Sequence, residues 1–248
     1  MKVNRIIFLI LICSGLIFAC SPPVPNESTH TPLDVITLQI TPELEGWMPK
    51  ISQCAASIQG IGIYTQVLTQ KQLSLDDADL VLRLGAKKPG DPYVAVMGTE
   101  EIVIVGGDAI PTNRLSVETL RSIFSGELNN WADLPEINQE EKEGQPIQTF
   151  SYPEGHILTS LFSTAYLEGE SPNRQTISFS TPEGLQRAFQ EQPFGIGYLL
   201  KNQVPDSMKI LEITGINNLA AQVYVLAVTP EEPQGAMRQL LLCIQNAP

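Results

Sequence analysis

The sequence predicts an α/β fold, and three observations carry that expectation. Short β-branched runs alternate with helix-length stretches from about residue 34 to the end. Hydrophobic residues make up 43% of 248, enough for one large core or two smaller ones. Glycine and proline stops separate the runs, as turns require.

In chain order, VITLQI (35–40) is a strand and LEGWMPKISQCAASI is helical, with Pro49 in a first turn or at a kink. IGIYTQVL is a strand, and SLDDADLVLRLG holds one that ends at Gly85. KKPGDP is a turn between that strand and two more, YVAVM and EEIVIVGG. SVETLRSIFSG reads as a helix with Ser116 as N-cap, Glu118 in the first turn and Gly126 just past the end. PEINQEEKEGQPI (135–147) is an acidic, solvated loop. Then come strand IQTFSY, helix GHILTSLFSTAYL, extended TISFS, helix PEGLQRAFQEQ and strand FGIGYLL. Strands MKILEI and AQVYVLAV and the helix PEEPQGAMRQLLLCIQ complete the chain. The triplet Thr-Pro-Glu occurs at 41–43, 181–183 and 229–231, and Tyr-Pro-Glu at 152–154. Each suits a helix start: threonine caps, proline presets the first turn and glutamate offsets the dipole.

The first 20 residues stand apart. Lys2 and Arg5 precede the apolar run IIFLILICSGLIFA, too short for a comfortable membrane span, and Cys20 follows. The ending Leu-Ile-Phe-Ala-Cys resembles a bacterial lipobox, with Phe18 at an inner position where smaller residues are commoner. Residues 1–19 are therefore expected to be a lipoprotein signal peptide, with Cys20 lipidated and 20–33 a proline-rich tether containing His30. Without the signal, 13 Lys+Arg face 27 Asp+Glu, a net charge of −14. So acidic a chain is not expected to bind nucleic acid. Export permits Cys54 and Cys243 to pair, and two buried free thiols are the other possibility.

LSVETLRSIFSGELNNWADL (115–134) carries a family resemblance through Leu115, Ser116, Ile123, Phe124, Gly126, Trp131 and Asp133. With FGIGYL (194–199) and ADLVLRLG (78–85) in the same order, it resembles phosphate-type substrate-binding proteins of bacterial ABC transporters. The resemblance implies a two-lobed periplasmic-binding-protein-like fold of type 2, with mixed sheets and a hinge of two crossover strands near 102–106 and 198–224. It implies one lobe from 34–105 plus 206–248 and another from 106–205. Ile123, Phe124 and Trp131 then serve as architecture. A ligand would sit between the lobes, at strand ends and helix N-termini, where backbone N–H groups favour anions.

The ligand site departs from that family. Where its phosphate binders usually show an Arg and then Ser-Gly-Thr, this chain has Ser151 and then Glu154-Gly155-His156. At the first strand–helix turn it has Thr41 and Glu43. The two glutamates would repel a multiply charged anion, so phosphate is doubtful while another small oxyanion or a cationic ligand stays open. Arg83 is either an oxyanion clamp or the partner of a nearby carboxylate such as Glu43. His156 is either a ligand contact or a surface helix residue, and Tyr152 either walls the site or packs. The candidate ligand-binding set is Thr41, Glu43, Arg83, Gly85, Tyr152, Glu154, Gly155 and His156.

No nucleophile–base pair or metal-ligand set is visible, so neither catalysis nor a cofactor or metal is expected. The expected function is a monomeric, lipid-anchored extracytoplasmic receptor of an ABC importer for phosphate or another small oxyanion, acting by hinge closure and working with an ABC permease. A sensory or binding lipoprotein without transport is the alternative.

Overall fold

The computed structural model describes residues 34–135, 144–216 and 221–247. The signal segment, Cys20, His30 and most of the acidic loop lie outside them.

The first sheet has the order β2-β1-β3-β10-β4. β1 (Asp34–Ile40) pairs in parallel with β2 (Ile61–Val67) and with β3 (Leu80–Leu84). The crossover from β1 to β2 runs through a 3-10 turn, Pro42–Trp47, and helix α1 (Met48–Ala56). Parallel pairing needs such a crossover, and it covers one face of the sheet. β10 (Gln222–Thr229) runs antiparallel between β3 and β4 (Tyr93–Gly106).

β4 has 14 residues and belongs to two sheets. Its first part, Tyr93–Glu101, pairs with β10. Its second part, Ile102–Gly106, pairs with β8 (Gly195–Leu200) on one side, and from Ile104 with β9 (Lys209–Thr214) on the other. β6 (Gln148–Ser151) continues from β8 in parallel, and the short β7 (Ile177–Ser178) pairs with β6. β5 (Arg114–Ser116) pairs with β9.

Two differences from the sequence expectations stand out. YVAVM and EEIVIVGG are one strand, not two. Gly98 between them does not break the strand; it makes room, since a Cβ there would stand 2.8 Å from Trp47 Cη2. β9 lies within 206–248, the range assigned to the first lobe, yet it hydrogen-bonds to the second part of β4 and to β5.

The segment 115–134 is architectural. Helix α2 (Val117–Ser125) starts on Ser116, whose hydroxyl accepts from Thr119 N at 3.0 Å, and ends at Gly126 with φ 85°. Ile123, Phe124 and Trp131 are buried, and Trp131 Nε1 donates to Phe194 O at 2.9 Å. Helices α3 (Ile157–Tyr166), α4 (Pro182–Glu191) and α5 (Gly235–Asn246) complete the layers. Of the four Pro-Glu triplets, only Thr181 caps through its side chain, accepting from Gly184 N. Thr41 leads into the 3-10 turn without a side-chain cap, the helix after Thr229 begins only at Gly235, and His156 caps α3.

Cys54 of α1 and Cys243 of α5 form a disulfide that closes a separation of 189 residues. Constraining so long a loop is worth at most about 5 kcal/mol by chain entropy. The Cys54→Ala/Cys243→Ala double variant is expected to lose roughly 2–5 kcal/mol in urea unfolding. An unchanged midpoint would mean that packing of α1 on α5 suffices without the bond.

Candidate functional site

The first sheet hands the chain over at Thr41, after β1, and the second at Tyr152, after β6. The two exits meet. Glu43, 4% exposed, accepts a hydrogen bond from His156 Nε2 at 2.7 Å. His156 is the N-cap of α3, and its Nδ1 accepts from Leu158 N at 3.3 Å. A histidine cap of this kind leaves the ring proton on Nε2, facing the carboxylate. The Tyr152 ring stacks on the imidazole, with centroids 4.4 Å apart and planes 11° from parallel.

Tyr152 is fixed from behind. Its N–H donates to Tyr198 Oη at 3.4 Å, and its carbonyl accepts from Thr159 Oγ1 at 3.0 Å. Tyr198 Oη in turn donates to Thr159 Oγ1, while the Tyr198 ring stacks on Phe162 at 3.9 Å. The site wall from the second sheet is therefore a packed aromatic block, not a loop.

Electrostatically the site is acidic. Burial works to raise the Glu43 pKa, but the His156 hydrogen bond and the Thr41 hydroxyl outweigh it, so the carboxyl sits below its ordinary value. Burial, with the Glu43 charge behind it, pushes the Tyr152 phenol up and keeps it protonated. Thr41 Oγ1, Glu43 Oε2 and Tyr152 Oη are buried without a hydrogen-bond partner of ordinary geometry among the described residues.

Arg83 is not in this cluster. Its guanidinium, 4% exposed, pairs with Asp91 and donates to Ala86 O at 3.0 Å, inside the first sheet's own turn. The carboxylate that binds Arg83 is thus Asp91 and not Glu43. Gly85 faces the base of α3, where a Cβ would stand 3.8 Å from Ile157 Cδ1. Gly155 has φ 80°, and a Cβ there would stand 3.3 Å from Lys71 Nζ. Glu154 is exposed and lines a polar concavity of about 440 Å³ with Ser151, Tyr152, Thr159, Arg174 and Ser178. The structure therefore gathers Thr41, Glu43, Tyr152 and His156, places Gly85 and Gly155 at the edge, commits Arg83 to Asp91, and puts Glu154 in a concavity that shares the Tyr152 wall. Sequence reasoning missed Asp91, Lys71, Thr159 and Tyr198 as neighbours. Only Tyr198 carried a signal, inside FGIGYL.

The depressed Glu43 pKa has a defined sign. Stability from this carboxylate is present above 4.5, its ordinary value, and is lost as pH falls through the lower folded value. Glu43→Ala leaves His156 Nε2–H unpaired and is expected to cost about 1–3 kcal/mol at neutral pH. Urea unfolding down to about pH 3 should show that difference shrinking once pH passes below the ordinary carboxylate value. A difference that stays flat would mean Glu43 is not held ionised.

A family model described as a PBP superfamily domain matches residues 85–236, more than half of the 248. Among solved structures, a protein described as a phosphate ABC transporter substrate-binding protein from Clostridium perfringens, with bound phosphate, superposes with a TM-score of 0.69 at 15% identity. That match covers 85% of this chain and 93% of the other. An ABC-type phosphate transport receptor from Vibrio cholerae gives 0.61 at 12% identity, over 86% and 93%. The reduced OxyR regulatory domain from Pseudomonas aeruginosa gives 0.59 at 12%, over 85% and 96%. Identities this low establish a shared fold and nothing finer, and that fold is the two-lobed, mixed α/β arrangement built here around β4. By the family model and by this fold, the chain belongs to the PBP superfamily, with a type 2 periplasmic-binding-protein-like architecture.

Proposed function

We propose that this chain is an extracytoplasmic solute-binding protein, anchored by lipid at Cys20, that closes on a small ligand and presents the closed form to an ABC permease. The observation that carries the proposal is the meeting of Glu43 and His156, one from each sheet, at a strand exit and a helix N-terminus. A ligand touching both sides there would bias a hinge toward closure. The hinge would include β4, where pairing changes at Glu101–Ile102. The lobes would then be roughly 34–105 with the end of the chain, and the middle of the chain with β9. No catalytic role is part of this proposal, and no described helix is long and apolar enough to cross a membrane. The fold suits an oxyanion at a helix N-terminus, but phosphate would have to lie against a buried carboxylate while Arg83 is paired with Asp91.

The likeness to OxyR regulatory domains favours a second reading, a sensory or binding lipoprotein without transport.

Thermal unfolding with oxyanions, amino acids and amines separates the two. A ligand of the folded state at roughly 100 times its Kd adds about 2.7 kcal/mol and raises the midpoint. Silence across the panel would favour the module without transport. For the anchor, Cys20→Ser is expected to move the protein from the membrane fraction to the soluble one. A variant that stays in the membrane fraction would rule out lipid at Cys20 as the tether.

A further inference from the structure

We propose that the cleft selects a small ligand bearing a cationic hydrogen-bond donor, an amine rather than a multiply charged oxyanion, with Glu43 Oε2 as its anchor. This rests on the solute-receptor reading and names the ligand class for that same site.

The support is a count of donors and acceptors. Three buried polar atoms in one cluster, Glu43 Oε2, Thr41 Oγ1 and Tyr152 Oη, make no hydrogen bond of ordinary geometry among the described residues, although the Thr41 hydroxyl lies near enough to Glu43 to help hold its carboxyl down. Their residues are 4%, 1% and 1% exposed. An ionised carboxylate only accepts, and each hydroxyl accepts as well as donates. An ammonium has donors and no acceptor, so it can serve the carboxylate and either hydroxyl at once. A fully ionised oxyanion has only acceptors. It could take the two hydroxyl protons but would leave Glu43 Oε2 unpaired and facing a like charge.

The surrounding charges point the same way. Arg83 is committed to Asp91, and the His156 Nε2 proton already serves the other Glu43 oxygen. Lys71 reaches the rim beside Gly155 and is itself exposed. Glu183 adds negative charge on the Tyr152 side. His156 also illustrates the preferred occupant. It is a nitrogen donor held on Glu43 with an aromatic ring, Tyr152, against its face.

The test is calorimetric titration of the full chain in mild detergent with methylammonium, ethanolamine and putrescine, and separately with phosphate and sulfate. At least one amine is expected to bind, and binding should weaken at least about tenfold in Glu43→Gln. The glutamine can still accept from His156 but loses the charge, so a modestly lowered midpoint is expected and the titrations are run well below it. Tyr152→Phe should weaken the same amine without changing the aromatic stack. If phosphate or sulfate binds and no amine does, the inference is overturned while the receptor reading stands. If amines bind equally well to Glu43→Gln, the anchor is wrong and the inference falls. If nothing binds here or in the wider solute panel, water serves the three atoms and the receptor reading fails with the inference.

Discussion

One strand belonging to two sheets is the constraint on which the rest of the molecule depends. β4 runs about 45 Å at ~3.3 Å per residue, and its backbone groups change partners near Glu101–Ile102. Backbone hydrogen bonds must be satisfied along its whole length, so each half recruits its own neighbours. Every other strand then falls on one side or the other. Side chains brace the change-over. Trp47 Nε1 and Asn202 Nδ2 both donate to Glu100, at 2.7 and 3.0 Å, and Lys201 pairs with Glu101 at 2.7 Å. Burial raises the Glu100 pKa, offset in part by the indole N–H. On the proposed hinge, a bend at this point would act on these contacts first.

The site follows from that division. Two sheets joined by a shared strand present the exits of β1 and β6 to each other, and whatever occupies those exits decides the chemistry. Here they carry a carboxylate and an imidazole that bond directly. A charge-assisted bond of this kind, largely buried, is worth about 1.5–3 kcal/mol. The aromatic block of Tyr152, Tyr198 and Phe162 fixes one partner, and the first turn after β1 fixes the other.

Much of the fold was legible because its signals are local. Ser116, Gly126 and the buried Ile123, Phe124 and Trp131 are set by capping, backbone handedness and helical spacing, which a sequence displays directly. The continuity of β4 was not, because Gly98 looks like a strand break until Trp47 is seen packed over it. The site residues were legible as a set but not as pairs. Arg83 and Asp91 are eight residues apart and pair within one turn, whereas Glu43 and His156 come from opposite sheets. Which carboxylate meets which base is a tertiary property. Nothing in TPELEG or in YPEGH records it.

The histidine cap gives the cleft a defined way to open. His156 makes two bonds with different duties: Nδ1 holds the first turn of α3, and Nε2 reaches across to Glu43. On the proposed hinge motion, separating the exits would break the second and spare the first. The helix keeps its cap, so opening would not have to unwind α3, though it would also act on the bond that Gln203 Nε2 donates to Glu43 O at 3.1 Å. On the proposed mechanism a ligand would act by preferring the closed arrangement. The same bond makes the cleft selective. A ligand that shares Glu43 with His156 adds to the bond, while one that repels Glu43 must first break it.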